Sequence, residues 1–167
     1  MIDLYLEKIE TPIGSLIAIA NNESLIILQT EQQLLNNKSF FDIEFKNKSC
    51  DIIKNLRDEL RLYFNGSLKD FKTPLDPRGT DFQHKVWNEL RNIPYGEVRN
   101  YSDIALKIGI PTAQRAIANA NARNKILILI PCHRVIRKSG DLCGYNAGVE
   151  KKKWLLDLEK IYYNKIL

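Results

Sequence analysis

Two apolar stretches near the N-terminus are separated by a short polar one. Residues 15–20 and 25–28 are mostly apolar, whereas residues 21–23 are turn formers. Apolar runs bounded by such a turn are typical of a β-hairpin. Leu4 and Leu6 precede the hairpin and indicate an adjoining strand. The N-terminal part is therefore expected to contain an antiparallel sheet.

A helical period follows the predicted hairpin between Ser49 and Phe64. The apolar side chains recur there at intervals of three or four residues: Ile53, Leu56, Leu60 and Tyr63. This spacing predicts an amphipathic helix, which Asn65-Gly66 suits as a C-terminal end. Residues 72–79 contain two prolines and a glycine, which mark a domain junction. We expect an α+β N-terminal domain over 1–75 and a second domain over 79–167.

The second domain is predicted to begin with a capped helix. Thr80 followed by Gln83 is a capping-box pattern. Pro94 is expected to stop this helix. Three side chains are predicted to form its buried side: Phe82, Val86 and Leu90.

A helix-turn-helix pattern follows. Asn100 fits an N-cap for a helix over 101–108, residues 109–112 break it, and a second helix is predicted over 113–122. Any pair of helices joined by a short turn gives a similar pattern, so spacing alone does not establish DNA binding. The second domain is predicted to be mainly helical and winged-helix-like.

Composition and charge narrow the class of protein. The chain has 167 residues, 44% of them hydrophobic, so it can bury a core. The apolar run at 126–130 is far shorter than the roughly 20 residues of a membrane-spanning helix. The N-terminus lacks a secretory pattern, and the odd count of three cysteines argues against a disulfide-stapled secreted domain. We therefore expect a soluble, cytoplasmic protein with no membrane partner.

The positive charge is concentrated in the second half. Residues 79–167 hold 15 Lys and Arg against 8 Asp and Glu, whereas residues 1–78 hold 10 against 12. The whole chain carries a formal net charge of +5. An excess of basic residues favours a polyanionic partner, although many basic chains are ordinary soluble proteins.

A candidate nucleophile follows the apolar run. Residues 126–130 predict a buried strand that Pro131 ends immediately before Cys132. A thiol reacts as its thiolate, and a neighbouring His or Arg lowers the thiol pKa. His133 and Arg134 follow Cys132 directly, so nucleophilic catalysis is one interpretation of this segment.

Two other interpretations remain open from the residues alone. Cys132 can be a small buried hydrophobe beside a hydrogen-bonded core histidine. A zinc site is the second alternative, although the chain lacks the paired spacing typical of structural zinc sites. Its ligands would be Cys132, His133, Cys143 and either Cys50 or His84. Cys50 lies on an apolar helical face and is interpreted as structural, whereas Cys143 in a loop stays ambiguous.

The segment Pro131-Cys132-His133-Arg134-Val135 resembles the PCHRV signature of the O6-alkylguanine-DNA alkyltransferases, also called methylated-DNA-protein-cysteine methyltransferases. The resemblance covers Thr80 to Glu159. The N-terminal half is similar to the family only in its hairpin and its size. Further matches are Ile93 to Val98, Tyr101, Arg115-Ala116, Asn124, Gly144-Tyr145 and Trp154 to Leu156.

This resemblance implies catalytic roles for five residues. Cys132 is the alkyl acceptor, activated through a bound water by His133, which Glu159 orients as in a catalytic triad. From the residues alone, Glu159 is equally a solvated carboxylate on a terminal helix. Asn124 corresponds to the hinge asparagine of the family, and Tyr101 to the tyrosine that donates toward the base and crowds the target phosphate.

The resemblance also implies how DNA is bound. Double-stranded DNA is held through its minor groove, and the target base is turned out of the stack. Arg115 fills the vacancy; without the family match it would be an ordinary basic residue on a helix. The remaining DNA-binding residues implied are Tyr101, Ala116, Asn121, Arg123 and Arg134.

A substrate pocket is implied around the acceptor. Its walls are Val135, Tyr145, Asn146, Ala147 and Gly148. Asn146 replaces the serine of some members, and Lys125 and Leu127 stand where some relatives carry prolines. The preferred size of the alkyl group therefore stays open.

The implied activity is DNA repair by stoichiometric, irreversible transfer of an alkyl group from O6-alkylguanine, and from O4-methylthymine, to Cys132. No cofactor and no metal are implied, and we expect a monomer that associates with the nucleoid during repair. A DNA-binding regulator without transfer activity is one rival; sensing relatives lack the cysteine, whereas Cys132 is present. A thiol hydrolase that uses Cys132 and His133 is another, and repeated turnover would distinguish it.

We predict that DNA affinity falls as the salt concentration rises. Phosphate neutralisation by the basic second half releases counterions, with a slope of about −0.9 per contact on duplex DNA. Binding titrations at several salt concentrations measure this slope, and duplexes of unrelated sequence should bind alike. An affinity insensitive to salt, or a strongly preferred sequence, would favour the regulator.

Overall fold

The computed structural model describes residues 2–36, 43–142 and 144–165, which form two compact units, 1–78 and 79–167. The first unit contains β1 (Tyr5–Thr11), β2 (Gly14–Ala20), β3 (Leu25–Thr30), α1 (Glu31–Leu35) and α2 (Asp51–Phe64). The second contains α3 (Asp81–Arg91), β4 (Arg99–Asn100), α4 (Tyr101–Lys107), α5 (Gln114–Ala122), a 3₁₀ turn (Cys132–Arg134), β5 (Val135–Ile136) and α6 (Val149–Asn164). No helix in the described ranges is long and apolar enough to cross a membrane.

The first unit is an antiparallel three-stranded sheet packed by α2. The predicted hairpin is confirmed as β2 and β3, and β1 pairs with β2 from Tyr5 opposite Ala20 to Thr11 opposite Gly14. Helix α2 is also confirmed, and its predicted apolar face is buried at Ile53, Leu56, Leu60 and Tyr63. Mixed α+β architecture is thus correct for this half of the chain.

The helices of the second unit follow their capping signals. Thr80 and Gln83 form the predicted capping box of α3. Asn100 caps α4, and its side chain accepts hydrogen bonds from two backbone amides of the first turn. Val86 and Leu90 are buried as predicted, but Phe82 remains partly exposed. Trp87 is buried on this helix instead of Phe82. The indole nitrogen of Trp87 donates to the carbonyl of Ala120 on α5.

The predicted strand at 126–130 is wrong, because these residues form a buried turn. The amide of Ile130 donates to the carbonyl of Ile126, and Ile128 has a φ of 70°, which no extended strand allows. All five side chains are buried. A continuous apolar run signals burial, whichever backbone conformation buries it.

A short parallel pairing positions the site. Arg99 pairs with Val135 and Asn100 with Ile136, so β4 lies alongside β5. Since α4 begins at Tyr101 and β5 follows the 3₁₀ turn, this pairing joins the start of α4 to the segment of Cys132.

Candidate active site

Asn124 organises the backbone that presents Cys132. Its side-chain amide nitrogen lies 2.8 Å from the carbonyl oxygen of Ile130 and 3.1 Å from Sγ of Cys132. Its side-chain oxygen accepts from the backbone amide of Ile126 at 2.9 Å. One buried side chain therefore closes the 126–130 turn and contacts the thiol at its end.

His133 and Glu159 form a buried pair beside Cys132 in sequence. Nε2 of His133 lies 2.7 Å from Oε1 of Glu159, and both side chains are almost completely buried. Nδ1 of His133 has no hydrogen-bond partner among the described residues. The solvated position considered for Glu159 is therefore wrong, since α6 carries it into the core.

Gly96 allows a backbone donor to reach the same carboxylate. Its amide lies 3.2 Å from Oε2 of Glu159. The residue has a φ of +80°, and an added Cβ would lie 2.6 Å from Cβ of Tyr163 on α6. Only glycine fits this turn without strain or displacement.

The electrostatics of the pair favour a neutral imidazole. Burial lowers the pKa of His133 and outweighs the opposite effect of Glu159. Burial alone would raise the pKa of Glu159, but His133 and Arg134 hold it well below its usual range. An ionised carboxylate accepts, so the neutral ring donates from Nε2 and keeps a lone pair on Nδ1. That nitrogen can take a proton.

The sequence neighbours of Cys132, His133 and Arg134, are not among the groups that lower the pKa of its thiol. Burial raises the pKa of Cys132, whereas Asn124, Lys152 and Tyr145 lower it. Ionisation of this buried thiol thus depends on polar groups brought from other segments. The guanidinium of Arg134 is directed instead to Glu159.

Lys152 is a functional candidate that the sequence analysis missed. It is fully buried, its ammonium donates to the carbonyl of Val135, and it lies 6.0 Å from the ring centroid of Tyr145. It stands in the run Glu150 to Lys153, which is typical of a solvated face. The sequence signal for its burial was its separation of seven residues from Glu159, since this spacing places both side chains on one helix face.

Two residues expected to contact DNA are buried. Arg134 is 6% exposed and Asn121 is 3% exposed. The guanidinium of Arg134 bonds Glu159 and the carbonyl of Ile93, and the amide of Asn121 donates to the carbonyl of Cys132 at 3.4 Å. These placements correct the expected DNA contacts, because both side chains are engaged inside the unit.

The exposed side of α5 carries the other expected DNA residues. Arg115, Ala116 and Arg123 at the helix end are exposed, whereas Ile117 and Ala120 are buried. Tyr101 is partly exposed at the first position of α4. Helices α4 and α5 are joined by the turn containing Gly109, in the predicted helix-turn-helix order.

The expected pocket residues lie in the loop before α6 and at β5. Tyr145 and Val135 are buried, Asn146 is exposed, and Ala147 and Gly148 are partly exposed. The amide of Asn146 donates to the carbonyl of Ala122, which ties this loop to the end of α5.

Cys50 lies in the first unit, whereas Cys132 lies in the second. Cys50 is buried at the N-cap of α2, as its structural interpretation expects, and its thiol lies 3.6 Å from the carbonyl of Asn21. Cys143 lies outside the described residues. Within the described ranges, no group of three or more His, Cys, Asp or Glu side chains could hold a metal ion.

Two family models match this chain, one in each half. The family model "6-O-methylguanine DNA methyltransferase, ribonuclease-like domain" matches residues 4–77, and "6-O-methylguanine DNA methyltransferase, DNA binding domain" matches residues 81–161. The methylated-DNA–protein-cysteine methyltransferase of Methanosarcina barkeri is 42% identical over 94% of this chain and 98% of its own. The chain belongs to the methylated-DNA–protein-cysteine methyltransferase family.

Other members of this family are similar over nearly their whole length. The constitutive enzyme of Bacillus subtilis is 40% identical over 96% of this chain and 98% of its own. The crystal structure of Mycobacterium tuberculosis OGT in complex with DNA is 41% identical, with a TM-score of 0.85 over 95% of this chain and 94% of that chain. Both domains of the family are therefore present here.

We predict that Lys152→Met raises the pKa of the Cys132 thiol further. Methionine keeps the length of the buried side chain but removes the cation, so the thiolate loses an attraction. The ultraviolet absorbance of the thiolate, titrated with pH and referenced to Cys132→Ser, measures this change. Lys153→Met is the matched control, because Lys153 is exposed and pairs with Asp157. An unchanged Cys132 titration in Lys152→Met would contradict the role of Lys152.

Proposed function

We propose that this protein repairs DNA by transferring an alkyl group from O6 of guanine to Sγ of Cys132, once per molecule. The observation that carries the proposal is the buried Cys132 thiol, which contacts Asn124 and directly precedes the buried His133–Glu159 pair in the chain, in a member of this family. The product is a thioether, which is chemically stable, so the protein is consumed in the reaction.

The transfer exchanges one bond for another at a saturated carbon. The S–C bond to Cys132 forms while the C–O6 bond of the guanine breaks. The thiol proton passes to Nδ1 of His133, directly or through a bound water as the family resemblance implies. Glu159 stabilises the resulting imidazolium as the carboxylate of a catalytic triad does.

The departing base needs a proton or a hydrogen-bond donor, because it leaves as an anion. We assign this role to Tyr101 at the start of α4. The pairing of β4 with β5 brings the start of α4 alongside the segment that contains Cys132. Asn124 supports the thiolate through its amide, which lies 3.1 Å from Sγ. No cofactor enters this scheme, since the lesion itself is the alkyl donor.

The exposed face of α5 is the proposed DNA-binding surface. Its alanines permit close approach to the minor groove, and Arg115 and Arg123 supply positive charge. Arg115 would occupy the gap left by the extruded base, and Ala116 beside it leaves room for the backbone. The unit 79–167 thus carries both DNA binding and chemistry, and we expect a monomer to suffice at the nucleoid.

The loop 144–148 and Val135 are the proposed walls of the base pocket. Tyr145 supplies a buried ring, whereas Ala147 and Gly148 leave space for the backbone to approach the base. Asn146 faces the exposed side of this loop and is bound to the end of α5. We propose O6-alkylguanine as the main substrate and O4-methylthymine as a second one.

We predict that incubation with duplex DNA containing O6-methylguanine adds one methyl group to the protein. Peptide mass spectrometry should place it on the peptide that contains Cys132, because this thiol contacts Asn124 and directly precedes the proposed proton acceptor His133. The yield should reach one equivalent and stop there. Methylation of Cys50 or Cys143, or continued turnover, would refute the assignment.

We predict that Arg115→Ala slows transfer from duplex DNA much more than transfer from free O6-benzylguanine. Only the duplex requires base extrusion, whose unstacking costs a few kcal/mol. Single-turnover rates on both substrates measure the difference. If both rates fall equally, Arg115 supports the fold or the pocket instead of extrusion.

Cys132→Ser is the companion variant for this experiment. Its hydroxyl is too weakly acidic to replace the thiolate, so it should transfer nothing from either substrate while still binding DNA. Loss of DNA binding in Cys132→Ser would show that the substitution disturbs the fold.

A further inference from the structure

Arg134 holds Glu159 with a fork of hydrogen bonds. Its Nε lies 2.9 Å from Oε2 of Glu159, and its Nη2 lies 3.0 Å from Oε1. Its Nη1 donates to the carbonyl of Ile93 at 2.7 Å. Such a bidentate contact fixes both the position and the rotation of the carboxylate.

The same carboxylate is the hydrogen-bond acceptor of His133. Oε1 of Glu159 therefore receives one bond from the ring of His133 and one from Arg134. Because Arg134 fixes the position of Oε1, it also fixes the orientation of the His133 ring, whose Nε2 is hydrogen-bonded to the same oxygen. Arg134 therefore acts on His133 through Glu159, which contacts both side chains.

Glu159 and Arg134 form a buried pair of opposite charges. The carboxylate carries one negative charge and Arg134 one positive charge, so their pair is neutral without a proton on His133. Arg134 also lowers the pKa of His133, which opposes the effect of Glu159. Without Arg134, the carboxylate would instead draw a proton onto the imidazole.

We propose that Arg134 is a positioning residue for alkyl transfer, which through Glu159 holds His133 as a neutral imidazole protonated on Nε2. The inference rests on the proposed function of Cys132 as the acceptor. A protonated His133 cannot accept the thiol proton, so neutrality of the ring is a condition for the reaction. The hydrogen bonds of the Arg134 side chain go to Glu159 and to the carbonyl of Ile93, inside the unit.

Other titratable groups act on His133 or on the residues beside it, and they affect any pH profile. Glu159 and Lys152 come from α6, Cys132 precedes His133, and Tyr145 comes from the loop before α6. Tyr95 lies with its ring centroid 5.7 Å from the guanidinium of Arg134. Burial, with Glu159 nearby, raises the pKa of Tyr95 to about 12, so it stays neutral at physiological pH.

Nuclear magnetic resonance of the histidine ring nitrogens tests the proposal without measuring activity. The chain has only two histidines, so a His84→Gln background leaves His133 as the single signal. Arg134→Met removes the charge, and Arg134→Lys keeps the charge without the fork. Arg137→Met is the matched control, since Arg137 is exposed three residues further along. Circular dichroism checks that each variant is folded.

In Arg134→Met, we expect the pKa of His133 to rise by about 1 to 2, because the cation no longer offsets Glu159. The ring then becomes protonated at a higher pH, so the acid limb of the transfer rate should move upward with it. In Arg134→Lys, the titration of His133 should stay near that of the parent. Its plateau rate should fall about tenfold, through loss of the second hydrogen bond to Glu159.

The proposal is overturned if His133 titrates with the parent pKa in Arg134→Met, or if Arg134→Lys reaches the parent plateau rate. Arg134→Lys preserves the buried charge, so it keeps the test decisive if Arg134→Met does not fold. Failure of the proposed function is recognised separately. In that case the parent protein itself would not add one alkyl group to Cys132, whereas the ring titrations would still report on Arg134.

Discussion

The second unit depends on the hydrogen bonds that satisfy the buried carboxylate of Glu159. An ionised carboxylate is costly to bury unless it is paired and hydrogen-bonded. Here it accepts from His133, from the fork of Arg134 and from the amide of Gly96. These contacts join α6, the 3₁₀ turn and the turn before β4. Loss of the carboxylate would leave a buried cation unpaired, which is a strongly destabilising change.

Burial has opposite consequences for the two reacting groups: it disfavours ionisation of the Cys132 thiol, but it keeps His133 neutral and able to accept a proton. A buried thiol ionises reluctantly, and burial is the largest influence on the pKa of Cys132. Asn124, Lys152 and Tyr145 act in the opposite direction, each from a different segment. A buried His133 is in turn kept neutral, which suits it to receive a proton. Proton acceptance and stabilisation of the thiolate are therefore assigned to different side chains.

Local signals in the sequence predicted most of the secondary structure. Thr80 and Asn100 cap their helices because capping depends on neighbours three residues away. The hairpin and α2 follow from short apolar periods. The run at 126–130 was misassigned, because Asn124 closes a turn that periodicity cannot detect. Burial was correct there, and only the backbone conformation was not.

The sequence by itself determined the family, the acceptor segment around Cys132 and the order of the helix-turn-helix, because each is written in contiguous or regularly spaced residues. Tertiary structure decided which charged side chains face inward. Arg134 and Asn121 resemble surface residues in the sequence yet are buried, and Lys152 stands in a solvated-looking run yet contacts the site. The direction of a side chain depends on what packs against its helix or turn. That partner is distant in the chain, so only the folded protein reveals it.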